Sequence, residues 1–370
     1  MFDKIKELQQ FDHFKPKAPY YNGYELLSKL DKNRQKPEIL VSTSNRSAGK
    51  STFFNAYNVH DFLQREHWFA IMVRTQEEIG ENVAPYWASI GDLYFPELNM
   101  IQRKGAKGLY DTLLIGRKDD ETGESYVQCG FVLALSAAEK IKKNSTLFHK
   151  IYRLYCDEWF TESNWYNKNE LLWFQSIRKS IARGGGAQTR FLQILIVGNL
   201  ISIHNPYYEE WGICDSLQLN TKFLRMDGLV LEQGFNAAAA EADKASAFSR
   251  VFANSDYNKQ TQEKSYLIDE SQFIDNSVCD VGLYILTIDY KQKSYSVRYN
   301  EMGGFYYVSN TPDPSRILHH AATVEDISGN TIYDKKNRYR VLLKDMLHKN
   351  SVRFKNVSAR DAFYHYIMGK

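Results

Sequence analysis

Along the N-terminal half of the chain, four short and nearly continuous apolar runs interrupt polar sequence: Glu38–Thr43, Trp68–Val73, Ile151–Cys156 and Leu192–Val197. A strand buried on both faces reads this way, because neither set of alternating side chains meets water. Such strands are parallel, and functional residues gather beyond their C-terminal ends. Between the runs, Ser51–Glu66 and Lys168–Ala182 have helical character. The alternation predicts an α/β fold, a parallel sheet with helices on both faces. Tyr110–Ile115 and Ser125–Leu135 flank the charged stretch Arg117–Glu124, which predicts a hairpin with a solvated tip.

The texture changes near Gly234. The alanine-rich stretch from Ala237 has high helix propensity and leads into a polar connector, Asn254–Lys264. Beyond it Val281–Tyr290, Ser294–Tyr299 and Gly304–Ser309 read as strands. The predicted organisation is a first domain over residues 1–228, a helical linker over 229–275, and a smaller C-terminal α+β domain over 276–370.

Composition narrows the class without naming a chemistry. The 370 residues are 43% hydrophobic and 25% charged, ordinary values for a soluble globular chain. The net charge of +3 is too small to announce a nucleic-acid partner. Its distribution says more, since Lys and Arg far outnumber Asp and Glu from Thr331 to Lys370. Cys129, Cys156, Cys214 and Cys279 are widely spaced, which argues against a zinc site or a disulfide framework. No apolar stretch approaches the roughly 18 residues that span a bilayer, and Met1–Glu7 is no signal peptide. A soluble intracellular protein with no membrane partner is expected.

The chemistry starts at the end of the first run. Ser44, Asn45, Arg46, Ser47, Ala48, Gly49, Lys50 and Ser51 form a phosphate-binding loop whose first glycine is replaced by Ser44, and Thr52 opens the helical stretch that follows. In such a loop backbone N–H groups cradle phosphates, the lysine reaches the β- and γ-phosphates, and the hydroxyl ligates Mg²⁺. The alternative is a chance Gly-Lys-Ser at a helix start. The third run decides between them, because it ends in Asp157 and Glu158. An acid there holds Mg²⁺ and the next one polarises the attacking water. Asn199, at the end of the fourth run, is a candidate sensor of the γ-phosphate or the lytic water. Together these residues predict a P-loop NTPase of the ASCE type that uses ATP and Mg²⁺.

Hydrolysis of this kind usually needs an arginine, often one supplied by a neighbouring subunit. Arg178, Arg183 and Arg190 lie between the acidic pair and the fourth run, and Arg183 precedes the flexible Gly184–Gly186. For nucleic acid, the candidate phosphate contacts are Lys104, Lys107, Lys140, Lys142 and Lys143, with the basic C-terminus.

These residues compose a recognisable constellation. Tyr20-Tyr21-Asn22 stands ahead of the phosphate loop, and Arg46 is third within the loop. The hairpin leads into Leu135-Ser-Ala-Ala and the Asp157-Glu158 strand, and Gly198-Asn199 opens a stretch ending in Asn205-Pro206-Tyr207. Over residues 18–212 the chain resembles the DNA encapsidation (genome-packaging) ATPases of φ29-type tailed phages, small relatives of the terminase large subunits. Ser44 departs from the family's usual glycine.

The resemblance implies a homo-oligomeric ring, a pentamer, at the portal (connector) of an empty prohead, pumping double-stranded viral DNA inward with ATP. It implies work in the host cytoplasm at the prohead portal vertex and absence from the mature virion. A structural packaging RNA is a further partner in such motors. An arginine acts in trans, with Arg183 or Arg190 best placed and Arg178 third. The C-terminal domain is implied to be RNase H-like without nuclease activity. The sequence agrees on that point: Asp280 and Asp289 are an odd number of residues apart and face opposite sides of a regular strand. Three other readings compete. One is a terminase large subunit with a working nuclease, a second is a GTPase-like switch, and a third is a portal-docking protein that binds nucleotide without turnover. Against the switch, no Asn-Lys-x-Asp motif is present, and Asp326–Gly329 lies too far downstream.

Overall fold

The four apolar runs become four neighbouring strands. In the computed structural model they are β1 (Ile39–Thr43), β2 (Trp68–Val73), β6 (Ile151–Cys156) and β7 (Gln193–Gly198), side by side in the order β2-β6-β7-β1. The structure describes residues 2–18, 20–45, 47–81, 83–105, 109–161, 166–167, 169–183, 188–199, 205–217, 221–234, 236–251, 273–278 and 280–368. The connector Asn254–Lys264 and Cys279 lie outside them.

The chain divides into two units, the first comprising Met1–Pro206 and Asn220–Ser265. Its nine-stranded sheet adds β3 (Leu98–Lys104), β4 (Tyr110–Arg117), β5 (Val127–Ala134), β8 (Phe223–Met226) and β9 (Leu229–Gln233). The full order is β3-β4-β5-β2-β6-β7-β1-β9-β8. The six strands from β5 to β9 in that order run parallel, and antiparallel strands close both edges. All residues of β2 and β7 are buried, which explains their unbroken hydrophobicity. Register places Thr43 beside both Gly198 and Gln233, and Cys156 beside Ile196, so four strands end along one rim. The helix Lys50–Arg65 follows β1.

Two boundaries differ from the sequence expectation. Residues 229–233, expected to begin a linker, are β9, and they pair with β1 inside the sheet. Residues 207–219, expected within the first domain, cluster with the C-terminal unit instead. Tyr207 and Tyr208 are fully buried, and Glu209 pairs with Lys291 at 2.6 Å. The first domain therefore does not end at 228 but resumes after this excursion. Past β9, Ala237–Ala245 and Ala247–Val251 are helical.

The second unit, Tyr207–Leu219 with Tyr266–Lys370, holds β10 (Leu283–Tyr290), β11 (Lys293–Asn300), β12 (Phe305–Ser309), β13 (His319–Ala321), β14 (Thr331–Ile332) and β15 (Val352–Phe354). Their order is β14-β13-β10-β11-β12-β15. β10, β11 and β12 are successive antiparallel neighbours, while β13 returns parallel to β10 and β14 parallel to β13. Leu286, Ile288, Val297, Val308 and Phe354 pack with Ala359, Phe363 and Tyr366 of the helix Val357–Met368 into this unit's core. Among the described residues, no helix is long and apolar enough to cross a membrane.

The first unit is also held by a buried charge network. Arg153, at the start of β6, donates to Asp61 at 2.8 Å, Asn58 at 3.0 Å and Gln193 at 2.7 Å. Asp61 also accepts from Arg65 at 2.6 Å and meets His67 at 3.0 Å. Burial opposes the Asp61 carboxylate, but the His67 hydrogen bond and the Arg153 charge outweigh it and hold its pKa well below the usual range. A depressed carboxylate stabilises the fold fully above the unfolded-chain value near ~4, and that contribution fades as pH falls from there through the folded value. Arg153→Ala leaves the buried Asp61 with only Arg65 and His67 and takes the donor from Asn58 Oδ1 and Gln193 Oε1, and is expected to cost about 3 kcal/mol in urea unfolding. In the variant the acid-side loss of stability below about pH 4 should be shallower.

Candidate active site

At the rim where β1 ends, the chain makes a tight loop into the helix Lys50–Arg65. Gly49 closes it with φ of +91°, a backbone that L side chains rarely adopt, so glycine is required there. Ser47 also has positive φ, at +58°. Ser44 is not among the described residues with positive φ, so serine fits without backbone strain. No side chain caps the helix N-terminus, whose N–H groups are thus available to an anion. The backbone N–H of Tyr21 donates to Ala48 at 3.0 Å and ties the preceding segment to the loop.

Lys50 is the hub. Its buried ammonium donates to Ser44 Oγ at 2.7 Å, Asn45 O at 3.2 Å and Asn199 Oδ1 at 3.0 Å. Burial lowers its pKa to about 8, against the opposing pull of Asp157, Glu232 and Glu158. Ser51 Oγ donates to Asp157 Oδ1 at 2.8 Å. Burial raises the Asp157 pKa, and the hydrogen bond from Ser51 only partly offsets it. Glu158 is exposed, with φ of +46°. A cavity of about 530 Å³ is lined by Lys50, Ser51, Thr52, Glu158 and Asn199, with Tyr20 and Tyr94 along its wall.

The structure thus brings together Ser44, Asn45, Lys50, Ser51, Asp157 and Asn199 through hydrogen bonds, and Ser47, Ala48, Gly49, Thr52 and Glu158 around the cavity. Arg46, Lys107, Gly184–Gly186 and residues 200–204 lie outside the described residues. Arg178 and Arg190 lie elsewhere. Arg178 pairs with Glu38, which precedes β1 at the opposite end of the strand from the loop. Arg190 donates to Ile181 O at 3.0 Å and to Phe148 O at 3.5 Å, and burial lowers its pKa. Arg183 is exposed. Lys140, Lys142 and Lys143 are exposed on the last turn of the helix Ala138–Lys143, and Lys104 is exposed at the end of β3.

Two contributors were missed in the sequence. Glu232, buried near the end of β9, accepts from Tyr21 Oη and from Ser42 Oγ, and burial raises its pKa. Its signal was present, since Leu229-Val-Leu-Glu232 repeats the apolar-run-then-acid pattern of Asp157. Asn236 is the other: its backbone N–H donates to Asn45 Oδ1 at 2.8 Å, and Asn45 Nδ2 donates back to its carbonyl at 3.0 Å. Nothing local in the sequence marks that pairing.

The sequence model of the podovirus DNA encapsidation protein (Gp16) family matches residues 15–370. The chain belongs to that family. DNA encapsidation, the function of the family, is therefore its function. Comparison with curated protein sequences returns no match. Among solved structures, the bacteriophage Phi-29 viral genome packaging motor assembly is similar, at 19% identity and a TM-score of 0.66, over 95% of this chain and 99% of that one. The Phi-28 gp11 DNA packaging motor is similar at 13% identity and a TM-score of 0.50, over 95% and 98%. The large terminase ATPase domain of Thermus phage P74-26 matches at 12% identity and a TM-score of 0.39, over 69% and 95%. The mixed α/β fold with its large parallel sheet is thus shared with the φ29 packaging protein.

A phosphate entering this loop would meet a Lys50 ammonium already bonded to the Ser44 hydroxyl. Ser44→Ala removes a charge-assisted hydrogen bond of about 1.5 kcal/mol from the free state alone. It is expected to bind a nucleoside triphosphate as tightly as wild type or up to about tenfold tighter, read by titration calorimetry. Weaker binding would mean that Ser44 serves the bound state instead.

Proposed function

We propose that the chain is the ATP-hydrolysing motor subunit that drives double-stranded viral DNA into a prohead. The observation that carries this is the convergence of Lys50, Ser51, Glu158 and Asn199 on one cavity at the rim of the sheet, with Asp157 bonded to Ser51. The placement of β7 between β1 and β6 supports the ASCE-type P-loop reading, because it separates the loop strand from the acidic strand by the strand that ends in Asn199.

ATP is the substrate, its phosphates received by the loop N–H groups and by Lys50. Lys50 leaves Ser44 and Asn45 to do so. Ser51 and Asp157 are hard oxygen donors already in contact, and they fit Mg²⁺, which takes few protein ligands and the rest from phosphates and water. The metal supplies charge neutralisation on the β- and γ-oxygens. The raised pKa of Asp157 fits a carboxylate that awaits a cation, since a positive charge beside it restores its ionised form. Glu158 lines the same cavity and orients and polarises the attacking water. Asn199 reports the γ-phosphate through its contact with Lys50.

Of the three arginines, Arg183 is favoured as the residue acting in trans, because Arg178 and Arg190 are engaged within their own unit. The ring, pentameric in this reading, brings Lys104, Lys140, Lys142 and Lys143 to DNA. The C-terminal unit is read as an RNase H-like domain without nuclease activity that meets DNA or the portal, with a packaging RNA as a further partner. Its sheet order supports the fold. Its acids support the inactivity: Asp280 accepts from Ser309 at 2.7 Å, and Asp289 is held by His319 at 2.9 Å and Ser294 at 2.6 Å. The working place is the host cytoplasm, at the prohead portal vertex.

Lys50→Ala and Glu158→Gln are each expected to lower ATP turnover by about 10²–10⁴-fold and to abolish packaging in a prohead assay. Full packaging by both variants would sink the motor reading in favour of a docking role. In mixtures with wild type, Arg183→Ala should depress turnover out of proportion to its fraction, whereas a linear decline would remove Arg183 from the trans role.

A further inference from the structure

Residues 2–14 precede the stretch that the family model matches, yet they are built into the first unit. The helix Phe2–Gln9 turns Ile5 and Leu8 inward and leaves Lys4, Lys6 and Glu7 in solvent. It packs on the helix Lys50–Arg65, where Gln9 Nε2 donates to Leu63 O at 2.6 Å. The residues after it are pinned to the same helix. One oxygen of the Asp12 carboxylate meets His60 Nδ1 at 2.6 Å and accepts from Gln64 Nε2 at 2.7 Å. The other accepts from Phe14 N at 3.2 Å.

This arm ends at the cavity. The buried Phe14 ring meets Phe53 at 5.4 Å and Tyr94 at 5.2 Å, both edge-to-face. Phe53 lies one turn past Lys50 on its helix, and Tyr94 ends the short helix Gly91–Tyr94 and lines the cavity. His13 N donates to Tyr94 O at 3.2 Å, and the Lys17 ammonium stands over the Tyr94 ring at 5.6 Å. Phe14 is thus a wedge between the phosphate-loop helix and Tyr94. The cavity lining has two characters. Lys50, Ser51, Glu158 and Asn199 are polar and suit phosphates, whereas Pro16, Tyr20, Leu93 and Tyr94 offer rings and apolar surface that suit a flat base and its sugar. The arm braces the second set.

We propose that Phe14, braced by Asp12, is a positioning residue for nucleotide binding, wedging Tyr94 into the wall on which the nucleoside rests while it stays out of contact with the ligand. The proposal rests on the cavity being the ATP site. Without the wedge, Tyr94 loses its support from the arm, whereas Lys50 and Ser51 keep all of their partners. The loss therefore falls on the nucleoside and spares both the phosphates and the hydrolytic step.

The test takes full-length wild type, Phe14→Ala, Phe14→Leu and Asp12→Ala. It measures affinities for a non-hydrolysable ATP analogue and for tripolyphosphate by titration calorimetry with Mg²⁺, kcat and KM of ATP hydrolysis, and thermal unfolding. Phe14→Ala is expected to weaken analogue binding and raise KM by about tenfold, with tripolyphosphate affinity and kcat within about threefold of wild type. Phe14→Leu, which refills most of the space, should recover most of that loss, and Asp12→Ala should weaken analogue binding by about threefold. Unchanged analogue affinity in Phe14→Ala, or a fall in tripolyphosphate affinity in step with it, overturns the proposal. Should Phe14→Ala fail to fold, unchanged analogue affinity in Asp12→Ala overturns it equally. Wild type that binds neither ligand would instead overturn the reading of the cavity as an ATP site, and this proposal with it.

Discussion

A buried ammonium must be satisfied or it does not stay charged, and the site of this protein is arranged around that requirement at Lys50. Its partners come from separate parts of the chain: Ser44 and Asn45 from the loop, Asn199 from the end of β7. They meet only because β7 lies next to β1 with Thr43 opposite Gly198. The acids that pull the lysine pKa back up, Asp157 and Glu232, stand on strands to either side of that pair. A change in strand order would take Asn199 and the flanking acids away from the cation. The parallel sheet is therefore a condition of the site as much as its support.

The same constraint explains what could be read from the sequence. β2 and β7 are buried on both faces, so their hydrophobicity is unbroken and their positions were plain. β3 was invisible because it is an edge strand: only Leu98 and Met100 are buried, and polar residues fill the rest. β9 was lost for another reason. It is apolar, but it follows the excursion of residues 207–219 into the other unit, and no local signal announces that the chain returns. Lys50, Ser51, Asp157, Glu158 and Asn199 were legible because each sits at a fixed offset from a strand end. Glu232 carried the same strand-end signal as Asp157, whereas Asn236 acts through a contact that sequence spacing does not encode.

Ser44 illustrates how a local departure is absorbed. At a position needing positive φ, serine would strain the loop, but among the described loop residues the left-handed positions are Ser47 and Gly49. Ser44 instead supplies a hydroxyl to the ammonium that glycine could not. A phosphate bound there would gain less, because the lysine is already well satisfied in the free protein.

Asp157 and Glu158 pose a geometric problem of their own. Consecutive residues of an extended strand point to opposite faces, yet Asp157 must stay with Ser51 while Glu158 must reach the cavity that Ser51 lines. The left-handed backbone at Glu158 resolves it by ending the strand within one residue and turning the second acid toward the first. A turn that carries such strain has to be held from outside. The Val197 carbonyl on one side and the guanidinium of Arg74, which follows β2, on the other supply that hold through the backbone of Trp159. The geometry at Glu158 thus depends on β2 and β7 flanking β6 as firmly as that of the Lys50 loop depends on β7 flanking β1.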